Sequence, residues 1–283
     1  MKRLPSLIAL IFFLPASWVT AASESEPTQP PTTLLERRAA LETLSTDAGP
    51  QSPRDIDQRA GNNRQIFSAA PPRQQMNLCN IHLHEGAEHR GGDFTTLIGV
   101  GDEAGFGTGF RYDGALTAGE LVAFDRPVGK TAEGELSPGD TIEIHFLFST
   151  SAVEPGQGLD ACFSPKILNP QLRGEAVIAV LVNDPDAAQL TRIAALETVN
   201  GYHQAPYLPD DLGETVTYAG STTGPDFNTA PSLTQLTWDV RPRVLKLDIR
   251  SVEAWFRDNP FKERHAHGVR DLVVDPDLLA PIP

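Results

Sequence analysis

Basic residues are scarce in this chain. Of 283 residues, 23 are Lys or Arg against 37 Asp or Glu, a formal net charge of −14. A nucleic-acid binder needs clustered cations to displace phosphate counterions, and docking on an anionic lipid surface draws on the same positive charge. The composition argues against both classes. Long apolar stretches are missing too: residues 7–14 (Leu-Ile-Ala-Leu-Ile-Phe-Phe-Leu) fall well short of the roughly 20 residues that a spanning helix requires. The two cysteines, Cys79 and Cys162, form no CxxC pair, which leaves thiol redox catalysis without support. What is abundant is Gly (23) and Pro (24), so turns are frequent and a strand-rich fold is expected rather than a helical bundle.

Lys2 and Arg3, the apolar stretch at 7–14 and the small residues at Val19-Thr20-Ala21 have the layout of a secretory signal peptide over residues 1–21. Cleavage after Ala21 would make the chain two charges more negative and send it to a secreted or periplasmic location with no remaining membrane span. In that oxidising setting Cys79 and Cys162 can pair, closing a long loop worth about 4–5 kcal/mol on the chain-entropy account. Residues 22–75 are polar and Pro-rich and are expected to form a tether with little to bury, holding one short helix over 34–44. From residue 76 to 283 apolar runs alternate with turn residues. Strands are expected over 80–84, 121–124, 141–148, 176–182, 214–218, 233–240 and 244–249, with one helix after Ser251 as its cap. The fold class is mainly β (α+β with few helices), a single domain around a large twisted, mostly antiparallel sheet.

Three of the seven histidines fall within Asn80-Ile81-His82-Leu83-His84-Glu85-Gly86-Ala87-Glu88-His89. On a strand, residues two apart share a face, so His82 and His84 project together while Ile81 and Leu83 turn to apolar packing. Two adjacent imidazoles make poor core residues unless something binds both. The segment Thr141-Ile142-Glu143-Ile144-His145 supplies a third imidazole with a carboxylate on the same face. Three His ligands with an open fourth position describe a catalytic zinc site. Glu143 and Asn80 stand where an outer acceptor would fix a ligand's tautomer. The other HxH, His265 and His267, follows Asn259-Pro260 and is expected to be a surface loop. His203, in a Gly-Tyr-His-Gln stretch, is expected to be a loop residue.

These residues resemble carbonic anhydrases, most closely the delta class, whose signature is similar to Cys-Asn-Ile-His-Leu-His running into Gly-Ala-Glu-His. Segments in the same order also resemble the alpha class. Asn80 to His84 is similar to its paired-histidine strand, where Gln commonly replaces Asn80, and Glu143-Ile144-His145 to its Glu-Leu-His segment. Tyr218-Ala219-Gly220-Ser221-Thr222-Thr223-Gly224-Pro225 with Thr237-Trp238 is similar to its Tyr-x-Gly-Ser-Leu-Thr-Thr-Pro run. The resemblance spans most of 76–270 and implies an alpha-carbonic-anhydrase-like sheet. It also implies a carbonate dehydratase that uses zinc-bound hydroxide to convert carbon dioxide and water reversibly to bicarbonate and a proton. By that resemblance His82, His84 and His145 ligate Zn2+, and Glu88 accepts from the hydroxyl of Thr222 or Thr223, which orients the hydroxide. Leu147 and Trp238 line the apolar side where carbon dioxide waits. Two departures stand out: the loop from His84 to Glu88 is shorter than in the alpha class, and no histidine occurs in Asn62-Asn63-Arg64-Gln65 where an alpha-class proton shuttle would precede the site.

Two rival readings exist. His82, His84 and Glu88 fit a cupin-like HxHxxxE spacing, with His145 completing an iron or manganese site in which Glu88 touches the metal. Alternatively, the domain is a secreted carbonic-anhydrase-like module that binds metal or a partner without turnover. Oligomeric state is not written in the sequence.

Overall fold

The segments Asn80-Ile81-His82-Leu83-His84 and Thr141-Ile142-Glu143-Ile144-His145 alternate aliphatic and polar side chains at the period of a strand, and in the structure they pair with each other. The structure is a computed structural model describing residues 33–45, 48–65, 67–167, 169–221, 232 and 234–283. In chain order its strands are β1 (Asn77–Glu85), β2 (Thr96–Leu97), β3 (Phe110–Arg111), β4 (Thr141–Ser149), β5 (Leu172–Val182), β6 (Glu197–Val199), β7 (Tyr202–Gln204), β8 (Val216–Ser221), β9 (Gln235–Val240) and β10 (Leu245–Asp248). The helices are α1 (Leu34–Leu44), α2 (Leu190–Ile193) and α3 (Ile249–Arg257). The expected signal peptide lies outside the described residues. Among those described, no helix is long and apolar enough to cross a membrane.

The main sheet runs β1-β4-β5-β9-β8, with β10 also paired to β5. Strands β1/β4, β4/β5 and β8/β9 are antiparallel, whereas β5/β9 and β5/β10 are parallel. The sheet is thus mixed and mostly antiparallel, as the fold class had it. Strands β4 and β5 are buried along their whole lengths because a layer covers each face. On one face Ile81, Leu83, Ile142, Ile144, Phe146 and Phe148 pack with Val252, Trp255 and Phe256 of α3. On the other, Cys79, Leu147, Ala176, Ile178 and Trp238 form a second apolar cluster, and the polar side chains of β1 and β4 are set into that face.

A register shift between Leu78 and Asn80 interrupts the β1/β4 ladder. Leu78 and Ile81 belong to the first cluster and Cys79 to the second. Cys79 is therefore the inserted residue of a β-bulge, a device that re-aims the side chains beyond it.

Four expectations are corrected. Residues 121–124 form no strand: Leu121 N–H donates to Thr117 O and Val122 N–H to Gly119 O, and both side chains are exposed. The helix near 251 is capped by Asp248, whose side chain accepts from Arg250 N–H, while Ser251 Oγ accepts from Leu190 N–H. His203 sits on β7 rather than in a loop. The described part of 33–75 is not a bare tether. Helix α1 covers 34–44 as expected and carries a Thr33/Glu36 capping box. It docks through Leu41 on Val273, Leu278 and Leu279, with buried Arg37 paired to Asp271 at 3.0 Å. Further on, Gln51, Ser52, Arg54 and Ile56 are buried, with Gln51 N–H bonded to Leu278 O and Ile56 N–H to Arg90 O. These backbone groups find their partners in segments more than 30 residues away, a pairing that composition does not reveal.

Candidate metal centre

The β1/β4 register sets His82 opposite His145 and His84 opposite Glu143. Directly opposed residues of an antiparallel pair share a face, so four polar side chains from two strands meet on one side of the sheet. The ring centroids of His82, His84 and His145 lie 4.7–5.1 Å apart, and one nitrogen from each falls within 4.8 Å of the others.

The remaining nitrogens are held from outside. His82 Nδ1–H donates to Asn80 Oδ1 at 2.6 Å, His84 Nδ1–H to Gly268 O at 2.9 Å and His145 Nε2–H to Glu143 Oε1 at 2.7 Å. Those bonds set the tautomers and leave lone pairs on His82 Nε2, His84 Nε2 and His145 Nδ1. Burial, then the neighbouring imidazoles, holds His82 and His84 well below the usual histidine range, so both are neutral at pH 7 and ready to ligate. A tetrahedral ion about 2.0–2.1 Å from each nitrogen requires nitrogens roughly 3.3–3.4 Å apart. His82 Nε2 and His145 Nδ1 are 3.3 Å apart. The donor set fits zinc.

Glu143 anchors the outer layer. Its Oε1 accepts from His145 and, at 2.6 Å, from His89 Nδ1–H, while Oε2 accepts from Glu88 N–H at 2.7 Å and His89 N–H at 3.1 Å. Burial alone would raise this carboxyl. The His89 and His145 imidazoles and their hydrogen bonds outweigh it and hold Glu143 well below its ordinary value. His89 Nε2 in turn accepts from Tyr218 Oη–H at 2.8 Å, and burial keeps that phenol well above its usual value. The cluster His89–Glu143–His145 also satisfies the spacing of metal ligands. Its atoms are already paired in this hydrogen-bond chain, which orients His145.

Glu88 is 3% exposed and accepts from Arg270 N–H at 2.9 Å. Burial raises its carboxyl, against the pull of His145 and Arg270. Its Oε1 lies 3.2 Å from His84 Nδ1, the nitrogen facing away from the shared centre, so Glu88 belongs to the outer layer and not among the converging nitrogens. A cavity of about 60 Å³ adjoins the three imidazoles, walled by Pro53, Leu147, Leu159, Leu236 and Trp238, with Glu88 and Arg270 at its polar side. Trp238 packs closely on β5 at Gly174, where a Cβ would sit 2.8 Å from the indole.

The sequence pattern described as Delta carbonic anhydrase matches residues 73–251, more than half of the chain. The chain belongs to the delta carbonic anhydrase family. An alpha-carbonic anhydrase from Photobacterium profundum is a structural neighbour at 18% identity, covering 82% of this chain and 89% of its own, with a TM-score of 0.27. No curated protein matches the chain.

The structure brings together His82, His84, His145, Asn80, Glu143, Glu88, Leu147 and Trp238. Cys79 and Cys162 form a disulfide. Thr222 and Thr223 lie outside the described residues. The expectation of a surface loop at His265 and His267 is corrected for His267. Residues 267–270 run as a strap beside β1, with His267 N–H bonded to Leu83 O, Glu85 N–H to His267 O, and the His267 ring 5.8 Å from that of His82. Sequence reasoning gave no role to His89, Tyr218, Gly268, Arg270 or Ser52. Ser52 Oγ accepts from Trp238 Nε1–H at 3.1 Å and donates to Ser221 O. His89 and Tyr218 stood inside recognisable motifs; nothing local marked Ser52 or Gly268.

Proposed function

We propose that this delta-family chain catalyses the reversible hydration of carbon dioxide, CO2 + H2O giving HCO3− and H+, with Zn2+ held by His82, His84 and His145. One observation carries the reading: three imidazoles converge one nitrogen each while the distal N–H of each is held by an outer acceptor. Zinc held there would supply Lewis acidity that brings the ionisation of water down to about pH 7. Neutral ligands suit that chemistry because they leave the ion its full charge. The chain's own residues do the rest. Asn80, Gly268 O and Glu143 hold the imidazoles in register. Leu147, Leu159, Leu236 and Trp238 give a small apolar molecule a dry wall. To Thr222 or Thr223 we assign the orienting of the attacking oxygen, with buried Glu88 in the acceptor role that the family resemblance implies.

Glu88 sits outside the converging nitrogens, which favours the anhydrase over a cupin-like iron or manganese site. We also propose export to a secreted or periplasmic location, supported by the disulfide. Stopped-flow carbon dioxide hydration with a pH indicator, alongside zinc analysis, tests the function. The wild type should hydrate carbon dioxide with one zinc per chain, and His145→Ala should lose both. Zinc bound without hydration would favour a non-catalytic binding module.

A further inference from the structure

The inserted residue of the β1 bulge is half of the disulfide. Because Cys79 is the extra residue, Asn80 stands opposite Leu147 on the face that carries His82, and its carboxamide reaches His82 Nδ1. The other end of that carboxamide is also tied: Asn80 Nδ2–H donates to Gly156 O at 3.0 Å, and Gly156 N–H donates back to Cys79 O at 2.9 Å. Gly156 therefore clasps the bulge from both sides. The loop carrying Gly156 has little regular structure of its own beyond the single turn Leu159–Cys162. Val153, Leu159 and Phe163 are partly buried against the second apolar cluster, and Leu159 walls the cavity beside the imidazoles. Cys162 is fully buried and bonded to Cys79, which pins the loop to the bulge.

We propose that the Cys79–Cys162 disulfide is a positioning element of the metal site, holding the Gly156 clasp so that Asn80 fixes the His82 tautomer, and that the oxidised chain binds zinc more tightly than the chain without the bond. This rests on the assignment of His82 as a ligand. Opening the bond takes two electrons and two protons from a dithiol, which itself closes to a disulfide, and leaves thiols at Cys79 and Cys162. The chain then acquires its full metal affinity only where its cysteines are oxidised.

The test is zinc affinity by chelator competition, for wild type, Cys79→Ala/Cys162→Ala, Asn80→Ala and the triple variant, with folding checked by circular dichroism. Losing an outer partner of a metal ligand typically weakens metal binding about 10- to 100-fold. The double variant and Asn80→Ala should each show a loss in that range, and the triple variant should bind no more weakly than Asn80→Ala alone. A folded double variant with wild-type affinity, or losses that multiply in the triple variant, would overturn the proposal. If the double variant does not fold, Asn80→Ala with the bond intact decides it: unchanged affinity there sinks the route through Asn80. A wild type that binds no zinc would instead overturn the ligand assignment beneath it.

Discussion

Glu143 Oε1 accepts hydrogen bonds from His145 Nε2–H at 2.7 Å and His89 Nδ1–H at 2.6 Å, so one carboxylate oxygen orients both imidazoles and couples them. Both N–H groups need an acceptor, and an amide in place of the carboxylate offers one oxygen and one unwanted donor. Glu143→Gln should weaken zinc binding about 10- to 100-fold and lower hydration activity while leaving the secondary structure intact. Chelator competition and stopped-flow hydration check this. Wild-type affinity in that variant would mean His145 does not depend on Glu143 for its tautomer.

The chain continues outward to Tyr218, whose hydroxyl donates to His89 Nε2 from a fully buried position. Tyr218→Phe keeps the ring and deletes the donor, leaving His89 Nε2 buried without its partner. The expected cost is about 1–2 kcal/mol of stability, read as a lower melting temperature. Zinc affinity should fall less than in Glu143→Gln, because His145 is three hydrogen bonds away.

How much of this was legible beforehand depends on sequence distance. The two strands of the candidate centre were readable because the two-residue period of a strand places His82 with His84 and Glu143 with His145 without knowledge of the rest of the fold. Helix α1 was readable from its own composition. Residues 121–124 misled because four apolar residues in a row imitate a strand, whereas Thr117 accepts the Leu121 and Glu120 N–H groups and turns the chain. Ser52 and Gly268 were illegible for another reason: each acts through a partner more than 165 positions away, Ser52 on Trp238 and Gly268 on His84. No local pattern encodes such a contact.

Away from the site, Lys246 Nζ donates to Glu120 Oε1 at 2.6 Å. That bond, with a second from Thr117 N–H, lowers the Glu120 carboxyl from 4.5 to about 2. A carboxylate whose folded value is depressed adds stability above its unfolded value, and the contribution is lost as pH falls from about 4.5 toward 2. The pair lies at the surface, so added salt should weaken the effect. Carboxylate NMR titration should find Glu120 titrating near 2 in wild type and moving back toward 4.5 in Lys246→Met. An unmoved value in that variant would rule out the lysine as the cause.

The strap over β1 makes the most demanding prediction, because it separates a backbone requirement from a side-chain one. Gly268 contributes only its carbonyl to His84, and that carbonyl belongs to every residue type. Space is what glycine provides: a Cβ at 268 would lie 1.9 Å from Ala104 O, and backbone cannot yield as a side-chain tip can. Gly268→Ala must therefore push the strap from the 104–105 turn, breaking the Val269 N–H bond to Gly105 O and shifting two neighbouring contacts, the Gly268 O acceptor of His84 and the Arg270 N–H donor of Glu88. The expected result is a stability loss of about 1–3 kcal/mol, as for other overpacked sites, together with weaker zinc binding. His267→Ala removes a ring beside His82 but leaves the strap's backbone bonds in place, so it should keep wild-type zinc affinity. Equal zinc losses in the two variants would show that the His267 side chain, rather than the strap's path, supports the centre.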